Sequence, residues 1–206
     1  NLPNINSCSI AVIGLGYVGF PLAYAIASRK ISLIDKKLLA RKVFGYDLDE
    51  QRISELKNGL DRNKVIKCNK KDNFGSIFFT DKISDLNDID IFIITVPTPL
   101  KDNNEPQLSH IIEASKMVGK AIKLNKKSKD NQIVIFESTV YPGATEEICV
   151  PLIAEYSGKS FNCESYQNSF YCGYSPERIN PGDKEKTIDS IVKVTSGSNK
   201  RISVWI

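Results

Sequence analysis

The chain is expected to fold as a doubly wound, mostly parallel α/β sheet with helices on both faces. Three observations predict this. Short apolar runs of strand length alternate with stretches of helical period along the 206 residues, the pattern that builds parallel sheets from βα units. Two of those runs, 91–96 (Ile-Phe-Ile-Ile-Thr-Val) and 133–136 (Ile-Val-Ile-Phe), are apolar almost without interruption, as strands buried on both faces are. Finally, the apolar run 10–13 leads into Gly14, Gly16 and Gly19 in G-x-G-x-x-G spacing, and then into good helix material at 22–27, giving strand, glycine turn and helix in succession.

In such a unit Gly14 permits the tight turn, Gly16 lets a pyrophosphate approach the backbone, and Gly19 lets the helix lie close to the strand. The first N–H groups of the helix then face the phosphate. Residues 43–47 (Val-Phe-Gly-Tyr-Asp) read as the second strand. Asp47 at its end is placed either to accept hydrogen bonds from a ribose or simply to cap the turn. Together these features describe a Rossmann-type fold that takes a dinucleotide. Asp47 stands 28 positions after Gly19, against about 20 in the usual fingerprint. The excess falls at 31–42, expected as a longer helix or an inserted loop.

The remaining elements follow in order. Residues 49–58 carry Ile53 and Leu56 at helical spacing and stop at Gly59, a suitable left-handed terminator. Residues 60–76 are polar and lysine-rich, expected as loop with a short helix, before a strand at 77–80. After strand 91–96 and a loop containing Pro97 and Pro99, a helix is expected over 108–124 with Ile111, Ile112, Ser115, Val118, Ala121 and Ile122 on one face. Then come strand 133–136, helix 144–156, a sixth strand at 170–174 and a further strand at 191–195. One domain accounts for the whole length. The loops 14–19, 96–99, 137–143 and 175–182 all follow strand C-termini, where ligands bind in such sheets.

Composition narrows the function. With 41% hydrophobic residues the chain can bury a real core, and 28 basic against 24 acidic residues leave a net +4 spread among Asn and Asp. No basic stripe with interleaved aromatics appears, so nucleic acid is not an expected partner. Five cysteines, Cys8, Cys68, Cys149, Cys163 and Cys172, are odd in number and form no C-x-x-C pair, which points to free thiols in a reducing cytoplasm. No apolar run reaches spanning length and no leader pattern is present, so a cytoplasmic protein without membrane association is expected. The acidic residues show no metal-ligand spacing, and no metal is predicted. His110, the lone histidine, has no neighbouring acid or nucleophile and begins a helix, where a solvated side chain is the ordinary reading.

Four loop sequences carry a resemblance. Gly-Leu-Gly-Tyr-Val-Gly at 14–19, Val-Pro-Thr-Pro at 96–99, Glu-Ser-Thr-Val-Tyr-Pro-Gly at 137–143 and Tyr-Ser-Pro-Glu-Arg-Ile-Asn-Pro-Gly-Asp-Lys at 174–184 resemble, in order, the UDP-glucose/GDP-mannose dehydrogenase family. The last is more similar to the branch acting on UDP-N-acetylhexosamines. The resemblance implies an NAD-dependent, twofold oxidation of a sugar C6 alcohol to a carboxylate, with a cysteine thiolate capturing the aldehyde and a thioester then hydrolysed. It also implies a role in surface polysaccharide synthesis.

By the same resemblance Gly14, Gly16, Tyr17, Val18 and Gly19 cradle the pyrophosphate, and Asp47 and Arg52 hold the adenosine ribose. Pro97 and Thr98 line the cofactor channel. Glu137 and Thr139 lie near the nicotinamide, Thr139 ordering a water, and Glu177 positions water at the reacting carbon and manages protons. By residue type alone, Thr98 and Thr139 also read as turn hydroxyls, Arg52 as a solvated helix residue and Glu177 as a cap. The family's thiol stands in a Gly-Gly-x-Cys segment, with a catalytic Lys and Asn, beyond the dinucleotide domain; no such segment occurs here. Residues 1–206 are therefore expected to be the NAD-binding domain without the central helix, through which the family forms homodimers, and without the sugar-binding half. Cys172 falls inside the sixth strand and is assigned no catalytic role. A stand-alone NAD-binding module without turnover is the competing expectation; a 3-hydroxyacyl or 6-phosphogluconate type dehydrogenase fits the four loops less well.

Overall fold

Each central strand feeds two cores, because its side chains alternate between the sheet's faces. In β1 (Ser9–Ile13) and β4 (Ile91–Ile94) every residue is buried. Ala11, Ile13, Phe92 and Ile94 join a cluster on one face, while Ile10, Val12, Ile91 and Ile93 join a second cluster on the other. This is why these runs read as apolar without alternation. The computed structural model describes residues 2–66, 74, 76–125, 131–163, 168–177 and 192–206.

Helices α1 (Gly19–Ser28) and α2 (Glu50–Lys57) cover the second cluster with Phe20, Ala23, Ala27, Ile53 and Leu56. Helices α3 (Ser109–Lys123) and α4 (Val150–Ser157) cover the first with Ile111, Met117, Val118, Ile122, Val150 and Ile153. The predicted apolar face of α3 is buried except for Ile112, which is half-buried at its margin.

The remaining strands are β2 (Lys42–Tyr46), β3 (Ile77–Thr80), β5 (Gln132–Phe136), β6 (Ser160–Phe161), β7 (Ser169–Tyr174) and β8 (Ser196–Gly197). Their order is β3-β2-β1-β4-β5-β7-β6, all pairs parallel, with β8 antiparallel to β7. The chain winds outward from β1 to β3, then returns to set β4 on the opposite side of β1. The switch point, where such sheets open a crevice, therefore lies between the C-terminal ends of β1 and β4.

Three expectations are refined. The excess at 31–42 is an inserted loop: α1 stops at Ser28, and an antiparallel bridge joins Ile31 to Leu38. The helix expected over 144–156 is broken in two, with a π-helical turn at Thr145–Cys149 before α4. Pro151 has no N–H to donate to residue 147, and the Val150 N–H reaches back five residues to the Thr145 carbonyl. Residues 192–195 form no strand, and Ile191 lies outside the described residues. Ser196 pairs with Tyr174, the last residue of β7, so the preceding residues run beyond the sheet's C-terminal edge, where no ladder partner exists; Val192 and Val194 are 84% and 59% exposed. Of the polar stretch 60–76, residues 67–73 and 75 lie outside the described set, as do residues 178–184 of the last motif.

Ile202, Trp205 and Ile206 pack down near the C-terminus, while Val204 is exposed. In α5 (Lys200–Trp205), capped by the Asn199 side chain, Ile202 is buried against Ile133 and Tyr171, and Trp205 donates from its indole N–H to the Pro3 carbonyl at 3.2 Å. No helix among the described residues is long and apolar enough to cross a membrane.

Candidate functional site

The three glycines of the turn are required for three different reasons. Gly14 has φ +91°, a left-handed conformation that side chains resist, and its N–H donates to the Tyr46 carbonyl at 2.8 Å. Gly19 is a packing glycine: a Cβ there would run into the Gly14 carbonyl and the Thr95 hydroxyl. Gly16 differs from both. Its φ lies outside the left-handed region, and a Cβ would meet nothing within 4 Å, so neither backbone nor packing demands a glycine there.

Beyond Gly16 begins α1, whose first turn has no side-chain cap and no acidic residue. The leading N–H groups of a helix have no intrahelical acceptor and carry partial positive charge. In α1 the Phe20 and Leu22 N–H groups already donate to the Gly16 and Val18 carbonyls at 3.3 and 3.2 Å, and the turn before the helix borders a cleft of about 920 Å³ lined by Gly14, Gly16, Tyr17, Val18, Asp47, Pro97, Thr98, Glu137, Thr139 and Glu177, among others. Ten of the predicted residues are thus brought together on one cleft by strands far apart in the chain. Pro97, Thr98 and Thr139 sit on adjoining loops; the Thr98 hydroxyl donates to the Thr139 carbonyl at 2.6 Å and clips them together.

Asp47 caps the turn and also lines the cleft. Its carboxylate accepts from the Leu15 N–H at 2.6 Å and the Asp49 N–H at 3.0 Å, one bond to each oxygen. A carboxylate has about four acceptor sites, so it holds the glycine turn in place and keeps capacity facing the cleft.

Arg52 is a correction. It neither lines the cleft nor lies in solvent: it is 4% exposed, donates through Nε to the Leu15 carbonyl at 2.9 Å and through Nη2 to Asp61 at 2.8 Å, and stacks over the Phe20 ring. One turn into α2, its side chain points back under the glycine loop, where Asp61 neutralises it. It supports the turn from behind and is not among the residues lining the cleft.

Glu137 and Glu177 are set side by side by the sheet. β5 and β7 are neighbours, and their pairing continues past the strand ends through Ser175 N to Phe136 O at 2.9 Å and Glu177 N to Glu137 O at 3.2 Å. Burial raises the Glu137 carboxyl above its ordinary range, opposed by Lys193; the nearby Glu177 charge raises it further, and the Ser175 hydroxyl lowers it. Lys193 forms an ion pair with Glu137 and lies 3.5 Å from Glu177. Sequence reading missed Lys193, since a lysine in a β-branched run carries no local mark of an inward direction. It also missed the wall opposite the glycine turn, where Ile83, Ala114 and Met117 present apolar surface and Lys116 and Lys120 stand nearby. His110, exposed at the start of α3, sits on the cleft rim.

Residues 8–203 match the UDP-glucose/GDP-mannose dehydrogenase family, NAD binding domain. The chain belongs to this family. Members similar to it include the UDP-N-acetyl-D-glucosamine 6-dehydrogenases of Pseudomonas aeruginosa, 43% identical over 194 residues, and of Salmonella typhi, 43% identical over 202 residues. These matches cover 94% and 98% of this chain but 41% and 42% of the relatives, so the chain spans about two fifths of their length. Among solved structures of the family, UDP-D-ManNAc dehydrogenase from Pyrococcus horikoshii superposes with a TM-score of 0.73 at 28% identity, over 96% of this chain and 43% of that one. The fold and the cofactor class expected from the four loops are those of the family's NAD-binding domain.

Proposed function

We propose that this chain is the NAD-binding part of a nucleotide-sugar 6-dehydrogenase that oxidises a UDP-N-acetylhexosamine to its uronic acid in the cytoplasm, working as a homodimer for surface polysaccharide synthesis. The observation that carries the cofactor reading is Gly16: a glycine required by neither φ nor packing, with open cleft where its side chain would be. A pyrophosphate occupying that space accounts for it. The start of α1, with no acidic residue in its first turn, turns the positive end of the helix toward the phosphates. Asp47 accepts from the adenosine ribose, and the apolar wall of Ile83, Ala114 and Met117 suits the flat face of adenine.

Bound NAD⁺ supplies the hydride acceptor. The chain's own residues orient it and prepare the reacting end. Pro97, Thr98, Glu137 and Thr139 would hold the nicotinamide end of the cofactor; the exposed Thr139 hydroxyl would order a water, and Glu177 would position water and move protons at the sugar carbon. The substrate class rests on similarity to the UDP-N-acetyl-D-glucosamine 6-dehydrogenases named above.

Calorimetric titration tests the cofactor reading. NAD⁺ should bind, and NADP⁺ more weakly by about tenfold or more, because Asp47 repels a 2′-phosphate. Gly16→Val should abolish binding while the unfolding transition stays near that of the parent, since the new side chain fills open space. Normal NAD⁺ binding by that variant, or NADP⁺ binding as tight as NAD⁺, would contradict the reading.

A further inference from the structure

We infer that Lys193 is a positioning residue that ties Glu137 and Glu177 into one charged unit at the nicotinamide end of the cleft and sets the charge presented to the cofactor there. This rests on the proposed cofactor-binding reading and extends it to a residue outside the four strand-end loops.

The geometry is unusual for a surface lysine. Its neighbours Val192 and Val194 are exposed and residues 192–195 belong to no strand, yet the Lys193 side chain is 21% exposed and turns inward onto two carboxylates. Those carboxylates are 6% and 14% exposed. Ion pairs sheltered in this way escape most of the solvent screening that weakens surface pairs. With no sheet ladder at 192–195, the carboxylates are what orient this lysine. The relation also runs the other way: two carboxylates held side by side repel, and without a cation one of them keeps a proton.

Facing the Glu137 carboxylate are Lys193, Glu177 and the Ser175 hydroxyl. Ionising Glu137 makes this unit more negative by one charge. The oxidised nicotinamide ring is a cation and the reduced ring is neutral, so this charge favours the oxidised cofactor. Protonating Glu137 cancels it. The preference for NAD⁺ over NADH should therefore change with pH at the Glu137 titration, and Lys193 decides where that titration falls. Removing the lysine leaves burial and the Glu177 charge to hold the proton on Glu137, which moves the change to higher pH.

The test follows that midpoint in two ways, in the parent chain and in Lys193→Met, Lys193→Gln and Lys193→Arg. The first is carbon-detected NMR titration of the glutamate carboxyls, with Glu137→Gln identifying the resonance. The second is the ratio of NAD⁺ to NADH affinities from mildly acid to mildly alkaline pH. Both midpoints should rise together by about one to three pH units in the Met and Gln variants, the range for losing an adjacent opposite charge, and should stay near the parent's in Lys193→Arg. An unmoved midpoint in the neutral variants, or an Arg variant that behaves like them, overturns the inference. If the parent binds neither cofactor, the cofactor reading falls and the claim about cofactor preference falls with it; the carbon titration, which needs no ligand, still decides whether Lys193 controls Glu137.

Discussion

Arg52 shows how far one side chain's role depends on what lies behind it. The buried pair with Asp61, at 5% and 4% side-chain exposure, costs desolvation on both sides, and removing one partner leaves the other charge uncompensated. Arg52→Met and Asp61→Asn should each destabilise the chain by about 3 kcal/mol or more, measurable by urea denaturation. Their effects on NAD⁺ affinity should also be similar, because both act through the Leu15 carbonyl that Arg52 holds and neither side chain lines the cleft. A large affinity loss confined to the Arg52 variant would restore a ribose contact. The two glutamates differ from this pair in kind: they lie on the cleft, and their lysine is shared.

At the level of elements, the cleft's far wall depends on how closely α3 and α4 approach. Gly119 makes that approach possible, since a Cβ there would stand 2.7 Å from the Tyr156 Cβ and 3.1 Å from the Ile153 carbonyl. Both neighbours are anchored on α4, so neither can swing aside as the tip of a flexible side chain would. Gly119→Ala should lower stability by about 1–3 kcal/mol, the range for overpacking a well-filled contact, despite alanine's better helix propensity. Thermal unfolding reports the sign, and a variant as stable as its parent would mean that the helices can separate. The π-helical turn before α4 is a second local feature with a local cause, the missing N–H of Pro151.

For the molecule as a whole, the topology gathers the cofactor site at one switch point and keeps the described thiols away from it. Cys8, Cys149 and Cys172 are buried in the cores, and no cysteine among the described residues lines the cleft. Burial pushes the Cys149 thiol up and the Cys172 thiol well up, away from the thiolate form that a covalent step needs. This chain alone should therefore bind NAD⁺ without oxidising UDP-GlcNAc, UDP-GalNAc or UDP-glucose to the acid. Positioning of the sugar is worth roughly 7–11 kcal/mol in well-oriented reactions, and the described cleft holds no thiol to capture the aldehyde. Incubation with each sugar while following NADH absorbance checks this. Sustained release of two NADH per sugar would mean that one of the five cysteines reaches the reacting carbon.

The parallel sheet, the glycine turn and the cleft-side loops at 96–99 and 137–143 were legible in the sequence because each is written locally: a buried parallel strand must be apolar throughout, and a turn of this kind needs glycines at set intervals. Long-range partners were not legible. The inward turn of Lys193, the withdrawal of Arg52 to Asp61, the loop at 31–42 and the antiparallel β8 all depend on which segment arrives alongside. Sequence spacing carries no record of that arrival; it is set by sheet order and by the requirement that every buried charge find its opposite.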